Sequence, residues 1–237
     1  MANIVVLHSR KGGIGKTTEA YELAYVLDAV LVDFEHDGGG ATAAWGYRPL
    51  DRIRVPILDA LATGKVPHPI KGDRKPRLVP GHPDLYDQMP DAETVADALV
   101  RWAGEWDTEW VVVDTHPGIS PAAHGAMQVA NAVVVPAPLK VNEMRALEEL
   151  VNDMADYPLI ISPNMVPASP PARPTKDLAR IVQGTSVRVG PPIPLVNAVS
   201  QRTKRIAMTA EPRLRKDLRP VADAITLTAQ MIQEYVK

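Results

Sequence analysis

Short runs of branched apolar residues punctuate the chain, and longer segments of mixed polarity separate them. Residues 3–7 (NIVVL), 29–34 (AVLVDF), 110–114 (WVVVD), 132–136 (AVVVP) and 159–162 (LIIS) are too short for helices and rich in Val and Ile. They predict buried strands. Residues 77–80 predict a briefer one. Residues 17–28, 92–103, 143–156, 176–183, 200–210 and 220–235 have helical spacing or content. Near-continuous apolar strands alternating with helices predict an α/β fold, a mostly parallel twisted sheet covered by helices on both faces. Ligands of such sheets sit at the carboxyl ends of the strands, so the polar residues that follow each strand are the first candidates for chemistry.

Composition narrows the field. The 237 residues fit one domain, 1–237. The 23 prolines cluster in 48–90 and 163–194, which read as connectors because periodic segments flank both. The absence of cysteine excludes disulfides, Cys-ligated zinc, iron–sulfur clusters and a thiol nucleophile. The start, MANIVVLHSRKGG, lacks the basic stretch and long apolar core of a secretory signal. No apolar run approaches the roughly 20 residues of a membrane helix, so a soluble, cytoplasmic protein without membrane partners is expected. The net charge of −2 hides an asymmetry. Residues 200–219 hold Arg202, Lys204, Arg205, Arg213, Arg215, Lys216 and Arg219 against Glu211 and Asp217, a local +5 that leaves −7 elsewhere. With no ligand it is a solvated face; with one, it is a polyanion site.

The densest chemical signal follows the first strand. Gly12, Gly13, Ile14, Gly15, Lys16, Thr17 and Thr18 complete the G-x-x-x-x-G-K-[ST] phosphate loop, with Arg10 where that pattern has its first glycine. Glycines let backbone N–H groups turn inward around phosphate oxygens, and the helix that follows adds its positive end. Lys16 is placed to reach the β- and γ-phosphates, and Thr17 to ligate Mg²⁺ directly.

Lys11 says more, because a second lysine at the loop's start is not needed to hold phosphate within one chain. The KGGxGKT[T] form resembles the deviant Walker motif of the ParA/MinD family of ATPases. The resemblance implies a P-loop NTPase fold, ATP and Mg²⁺ as ligands, and a homodimer that sandwiches two ATP molecules, with Lys11 reaching the partner's nucleotide. It extends along most of the chain. Residues 31–35 (LVDFE) look like the family strand that usually ends Asp-x-Asp-Pro-Gln-Gly. Here Asp33 matches, Glu35 replaces the second Asp, and His36-Asp37 replace Pro-Gln. The resemblance gives Glu35 the attacking water and the metal's water shell. Its extra methylene means that the carboxylate must sit differently, so slow hydrolysis is expected. The short crossover from Thr18 to Asp33 predicts a first helix of about three turns.

Residues 111–118 (VVVDTHPG) resemble the Walker B strand and switch II, commonly DTPPG. Asp114 is then a ligand of Mg²⁺ through water. His116 stands for a proline and reads as a loop residue facing a dimer mate or partner, with a catalytic role as the alternative. The six histidines show no close metal-ligand spacing in sequence. Residues 132–138 look like the next family strand. Residues 160–165 resemble the strand whose terminal Asn164, followed by Met165, contacts adenine; an amide offers both donor and acceptor to a base edge. A turn-capping Asn164 is the alternative. Residues 191–194 read as the opposite wall of the base pocket.

Within the family, absences discriminate. Iron-protein and scaffold branches use cysteines. MinD-like members end in a basic amphipathic membrane helix, whereas this chain ends QEYVK. The ParA branch binds nonspecific DNA when ATP-dimerised, through basic residues on C-terminal helices, where the 200–219 cluster lies. The first strand begins at residue 3, which resembles the short form without an N-terminal helix-turn-helix. The expectation is a DNA-partition ATPase, nucleoid-associated, whose hydrolysis a ParB-like centromere-binding protein stimulates. Two alternatives stay open: a MinD-like or polar-positioning ATPase on a protein or membrane scaffold, and a metabolic P-loop ligase. The ligase needs an acid-binding site, and no Lys/Arg cluster lies near the switch segments in sequence.

Overall fold

The computed structural model describes residues 1–48 and 56–237. In chain order the elements are β1 (Asn3–Leu7), α1 (Lys16–Val26), β2 (Val30–Asp33), α2 (Gly40–Trp45), α3 (Pro56–Thr63), β3 (Arg77–Val79), α4 (Leu85–Gln88), α5 (Ala92–Glu105), β4 (Trp110–Asp114), α6 (Pro121–Gln128), β5 (Ala132–Pro138), α7 (Val141–Asp153), β6 (Leu159–Asn164), α8 (Ala172–Val182), β7 (Arg188–Val189), α9 (Asn197–Ser200) and α10 (Arg219–Val236). Among the described residues the strands form one seven-stranded sheet in the order β3-β2-β4-β1-β5-β6-β7, and every pairing is parallel.

Successive side chains of a strand point to opposite faces, and β1 shows the consequence. Ile4 and Val6 join the core under α3, α5, α6, α7 and α8, while Val5 and Leu7 join the core under α1, α2 and α10. Both faces are covered, as a parallel sheet requires. Trp102 of α5 is fully buried in the first core; removing a side chain of that size costs about 3–5 kcal/mol.

The register sets the site. β2 and β4 pair with Asp33 opposite Asp114, and β1 pairs with β4 so that Leu7 also lies opposite Asp114. Three chain segments therefore leave the sheet side by side at its carboxyl edge: the glycine loop, the loop after β2 and the loop after β4.

Two sequence expectations change. Residues 200–210 are not a helix: α9 stops at Ser200, and turns run from 201 to 218. Side chains take the backbone groups that a helix would pair. Arg202 donates to the carbonyls of Lys204 and Ile206, and the N–H groups of Met208 and Thr209 donate to the Glu22 carboxylate. Pro212 removes a further donor. The basic cluster is thus carried by an irregular loop plus the first residue of α10. The proline-rich stretch 48–90 is more than a connector, since beside the expected strand, β3, it contains α3 and α4; its residues 49–55 lie outside the described residues.

Candidate functional site

The loop from His8 to Gly15 joins β1 to α1. Gly15 caps the helix with φ near +89°, and a Cβ there would sit 2.6 Å from the Asn164 amide nitrogen. Glycine is required on both counts. Ser9 hydroxyl donates to the Lys11 carbonyl, and the N–H of Gly118 donates to the Ser9 carbonyl, which ties the loop after β4 to the glycine loop.

Lys16 and Asp114 form the centre. Lys16 Nζ lies 2.5 Å from Asp114 Oδ1, and both side chains are buried. Asp114 Oδ2 is buried with no hydrogen-bond partner among the described residues. Burial raises the Asp114 pKa, and Lys16 opposes that rise. Asp33 accepts from the N–H of Thr42 at 2.6 Å and of Glu35 at 3.0 Å. Its pKa is pushed up to about 7, chiefly by burial and then by the charge of Asp114.

Glu35 is nearly buried, and its Oε1 lies 2.5 Å from His116 Nδ1. His116 stacks on His36 with centroids 4.0 Å apart and planes 20° apart, and His36 Nδ1 is 3.2 Å from Asp37 Oδ1. The fold thus gathers His36, Asp37 and His116, with ligand atoms within 4.8 Å of one another, where sequence spacing showed no cluster. Near-parallel rings do not converge their nitrogen lone pairs on one point, and each imidazole already has a carboxylate neighbour.

Lys11 is half exposed and pairs with Glu143 of α7 at 3.1 Å. Arg10 pairs with Asp153 and, at 3.8 Å, with Glu149. Asn164 Nδ2 donates to the Ile14 carbonyl, and its Oδ1 accepts from the Met165 N–H. A base read by Asn164 has to share those bonds. Beside it, Gly15, Thr18, Asn164, Met165, Ile193, Pro194 and Leu195 line a cavity of about 180 Å³, so of residues 191–194 Ile193 and Pro194 face the Asn164 side of the loop. Glu19, which no sequence motif marks, also lines it; its carboxyl oxygens are buried without a hydrogen-bond partner among the described residues, and burial pushes its pKa up to about 7, with nearby Ser162 opposing the rise.

The seven basic residues are not equivalent. Arg202 and Lys204 both pair with Glu211, and Arg215 pairs with Asp217. Arg202 is largely buried and holds its own loop together, so it is a structural arginine. Arg205, Arg213, Lys216 and Arg219 are exposed. Arg205 also corrects the sequence expectation that no basic cluster stands near the switches. With Arg48 and His82 it lines a cavity of about 360 Å³ that Glu35 borders. Glu22 has no motif to mark it either. The available signal is a second acid at helical spacing from Glu19 on an otherwise apolar helix face.

The family described as AAA domain matches residues 2–159. Among curated relatives, the chain is 27% identical over 166 residues to the chromosome-partitioning ATPase Soj of Thermus thermophilus, covering 68% of this chain and 65% of that one. The aligned stretch therefore spans slightly less than two thirds of the relative's own length. Among solved structures, the cell division ATPase MinD of Pyrococcus furiosus superposes with a TM-score of 0.76 at 19% identity, covering 99% of each chain. Cobyrinic acid a,c-diamide synthase of Mycobacterium smegmatis superposes with a TM-score of 0.74 at 19% identity, covering 100% of this chain and 96% of that one. At these identities the superpositions show the shared fold. No helix among the described residues is long and apolar enough to cross a membrane.

Proposed function

Starting from the fact that this chain belongs to the AAA-domain family, matched over residues 2–159, we propose that it is a cytoplasmic, nucleoid-associated ParA-type ATPase. In this reading an ATP-bound homodimer binds nonspecific duplex DNA, and a ParB-like partner stimulates hydrolysis. The supporting observation is the buried Lys16–Asp114 pair with one Asp114 oxygen left over, set against a KGGIGKTT loop at the sheet's carboxyl edge.

Mg²⁺ fits these residues. Asp114 Oδ2 is a buried acceptor with no hydrogen-bond partner among the described residues, which a metal-bound water would satisfy. Thr17 would hold the ion directly, and Glu35 and Asp114 through water. When bound, Mg²⁺ neutralises charge on the β- and γ-phosphate oxygens. The chain's own groups do the rest. Backbone N–H groups of residues 12–18 hold the phosphates, and the α1 terminus favours their charge. Lys16 exchanges its carboxylate for phosphate oxygens. Glu35 accepts a hydrogen bond from the attacking water, whose oxygen bonds the γ-phosphorus as the bond to the β-phosphate oxygen breaks, giving ADP and phosphate. Lys11 leaves Glu143 to reach the nucleotide of a second copy. Lys11→Ala is therefore expected to bind ATP normally but to dimerise weakly; dimers that persist with ATP, seen by sedimentation, would remove the cross-subunit role.

Phosphate contacts without base readout suit a surface of Arg205, Arg213, Lys216 and Arg219, with Lys204 and Arg215 shared with acids. A dimer making about six contacts is expected to lose roughly a thousandfold in affinity between 50 and 200 mM salt. The test is binding to random-sequence duplex with ATP, with ADP and without nucleotide across that range. Salt-sensitive binding with ATP alone supports the reading. No binding in any state makes the loop a solvated face and favours a MinD-like, scaffold-positioned ATPase.

A second reading, a metabolic ligase, draws on the cavity that Arg48, Arg205 and His82 line beside Glu35. Two guanidiniums there suit an acidic small molecule. ATP turnover raised by a carboxylate substrate and indifferent to DNA would favour it.

A further inference from the structure

We propose that His116 is a positioning residue that fixes the Glu35 carboxylate for hydrolysis. The inference rests on the reading of Glu35 as the acceptor for the attacking water. It begins in the register. Asp33 and Asp114 are opposite each other, so the residues two places beyond them, Glu35 and His116, leave the sheet together. The Phe34 N–H donates to the Asp114 carbonyl at 2.9 Å, which keeps the two loops aligned past the last strand pair.

Glu35 is held on two sides. Gly40, at φ near +65°, approaches so closely that a Cβ there would lie 2.6 Å from Glu35 Cβ and 2.8 Å from its Cγ. At the other end His116 Nδ1 sits 2.5 Å from Oε1, so the Nδ1–H donates to the carboxylate. His116 is braced in turn by the stack on His36, and His36 by Asp37 at 3.2 Å and by the edge of Tyr86 at 5.3 Å between ring centres. A free glutamate spreads over many rotamers, and ordering one costs conformational entropy. The brace has therefore ordered the carboxylate in advance. The chain departs from the DxDPQG and DTPPG patterns at Glu35, His36, Asp37 and His116; His116 meets both Glu35 and His36, and Asp37 pairs with His36. Glu35 reaches one methylene further than an aspartate, and His116 stands where that reach ends.

The experiment is single-turnover ATP hydrolysis, with ATP affinity measured in parallel, for the unaltered chain, His116→Ala, His116→Asn, His116→Pro, Glu35→Gln and the Glu35→Gln/His116→Ala double variant. Asn keeps an N–H donor close to the Nδ1 position. His116→Ala and His116→Pro should hydrolyse about a hundredfold more slowly, with ATP affinity changed less than about twofold. His116→Asn should recover most of the rate. In the Glu35→Gln background, His116→Ala should add nothing. His116→Ala and His116→Pro at the parental rate, with Glu35→Gln slow, overturn the role of His116 and leave that of Glu35. Further loss in the double variant also overturns it, because His116 then acts without Glu35. Glu35→Gln at the parental rate overturns the reading on which the inference rests, as does an unaltered chain that does not hydrolyse ATP. Should His116→Ala fail to fold, the contrast between His116→Asn and His116→Pro decides.

Discussion

Lys16→Ala is expected to slow ATP turnover by at least about a thousandfold and to make the nucleotide-free fold strongly pH-sensitive. The first effect follows from placement. In a site this dry, a cation aimed at a transferring phosphoryl group contributes at least as much as a preorganised hydrogen-bond donor, whose loss costs roughly 10²–10³ in rate. The second follows from what Lys16 touches. Its ammonium is the partner of buried Asp114, which lies beside buried Asp33. Burial raises the pKa of both carboxyls, that of Asp33 to about 7, and Lys16 restrains the rise at Asp114. A carboxyl whose pKa is raised on folding favours the fold while protonated. That contribution is complete below its unfolded pKa of about 3.9 and is lost as pH climbs through the folded value. Without Lys16 the loss at Asp114 deepens at high pH. Denaturant titrations in EDTA should therefore find Lys16→Ala within about 1 kcal/mol of the parent at pH 5 and about 3 kcal/mol below it at pH 8, toward the cost of an unpaired buried charge. An equal loss at both values would show that the lysine's packing matters and its charge does not.

Such a centre was largely legible in the sequence because its parts are local. A run of Val and Ile can only be satisfied as a buried strand, and glycines with Lys16 and Thr17 directly after it need no distant partner to be read. The same holds for Asp114 at the end of WVVVD. What was not legible depends on register or on distant partners. Nothing in the spacing of Glu35 and His116, 81 residues apart, reveals their contact; it exists because β2 and β4 pair with their aspartates level. The cavity shared by Arg48, Arg205 and Glu35 arises the same way, with the 201–218 turns folding back beside α2. Residues 200–210 have helical content, yet the N–H groups of Met208 and Thr209 donate to Glu22 and that of Ala207 to the Arg74 carbonyl, all far away in sequence, and propensity yields to those bonds. The prolines of 48–90 concealed short helices for the opposite reason: proline suits a first turn, as Pro56 does in α3.

Glu22 links the nucleotide helix to the basic loop, and its loss should be felt at a distance. Its carboxylate accepts the Met208 N–H at 2.8 and 2.9 Å and the Thr209 N–H at 3.4 Å. One turn of helix carries both this clamp and the Tyr21 hydroxyl, which donates to the Arg205 carbonyl at 2.8 Å. Ala207 and Met208 then plug the core between α1 and α10. Glu22→Ala strands a buried Met208 N–H and opens a gap beneath the loop. Leaving buried donors unpaired costs about 1–3 kcal/mol each, so a loss near 3 kcal/mol and a thermal midpoint lower by about 6–12 °C are expected. Burial raises the Glu22 pKa, so Glu22→Gln gives up an unfavourable charge while keeping one acceptor, and it should cost less than half as much. The functional consequence separates this clamp from an ordinary core defect. On the proposed DNA-binding function, ATP-dependent affinity for duplex DNA should fall at least about tenfold in Glu22→Ala at a temperature where the fold is intact, although no basic side chain has been altered. The affinity that remains should lose less with added salt, because fewer cations are held where one duplex reaches them together. Unchanged affinity and salt slope in a folded Glu22→Ala protein would mean that the loop binds DNA without being ordered, and that α1 does not set the geometry of the patch.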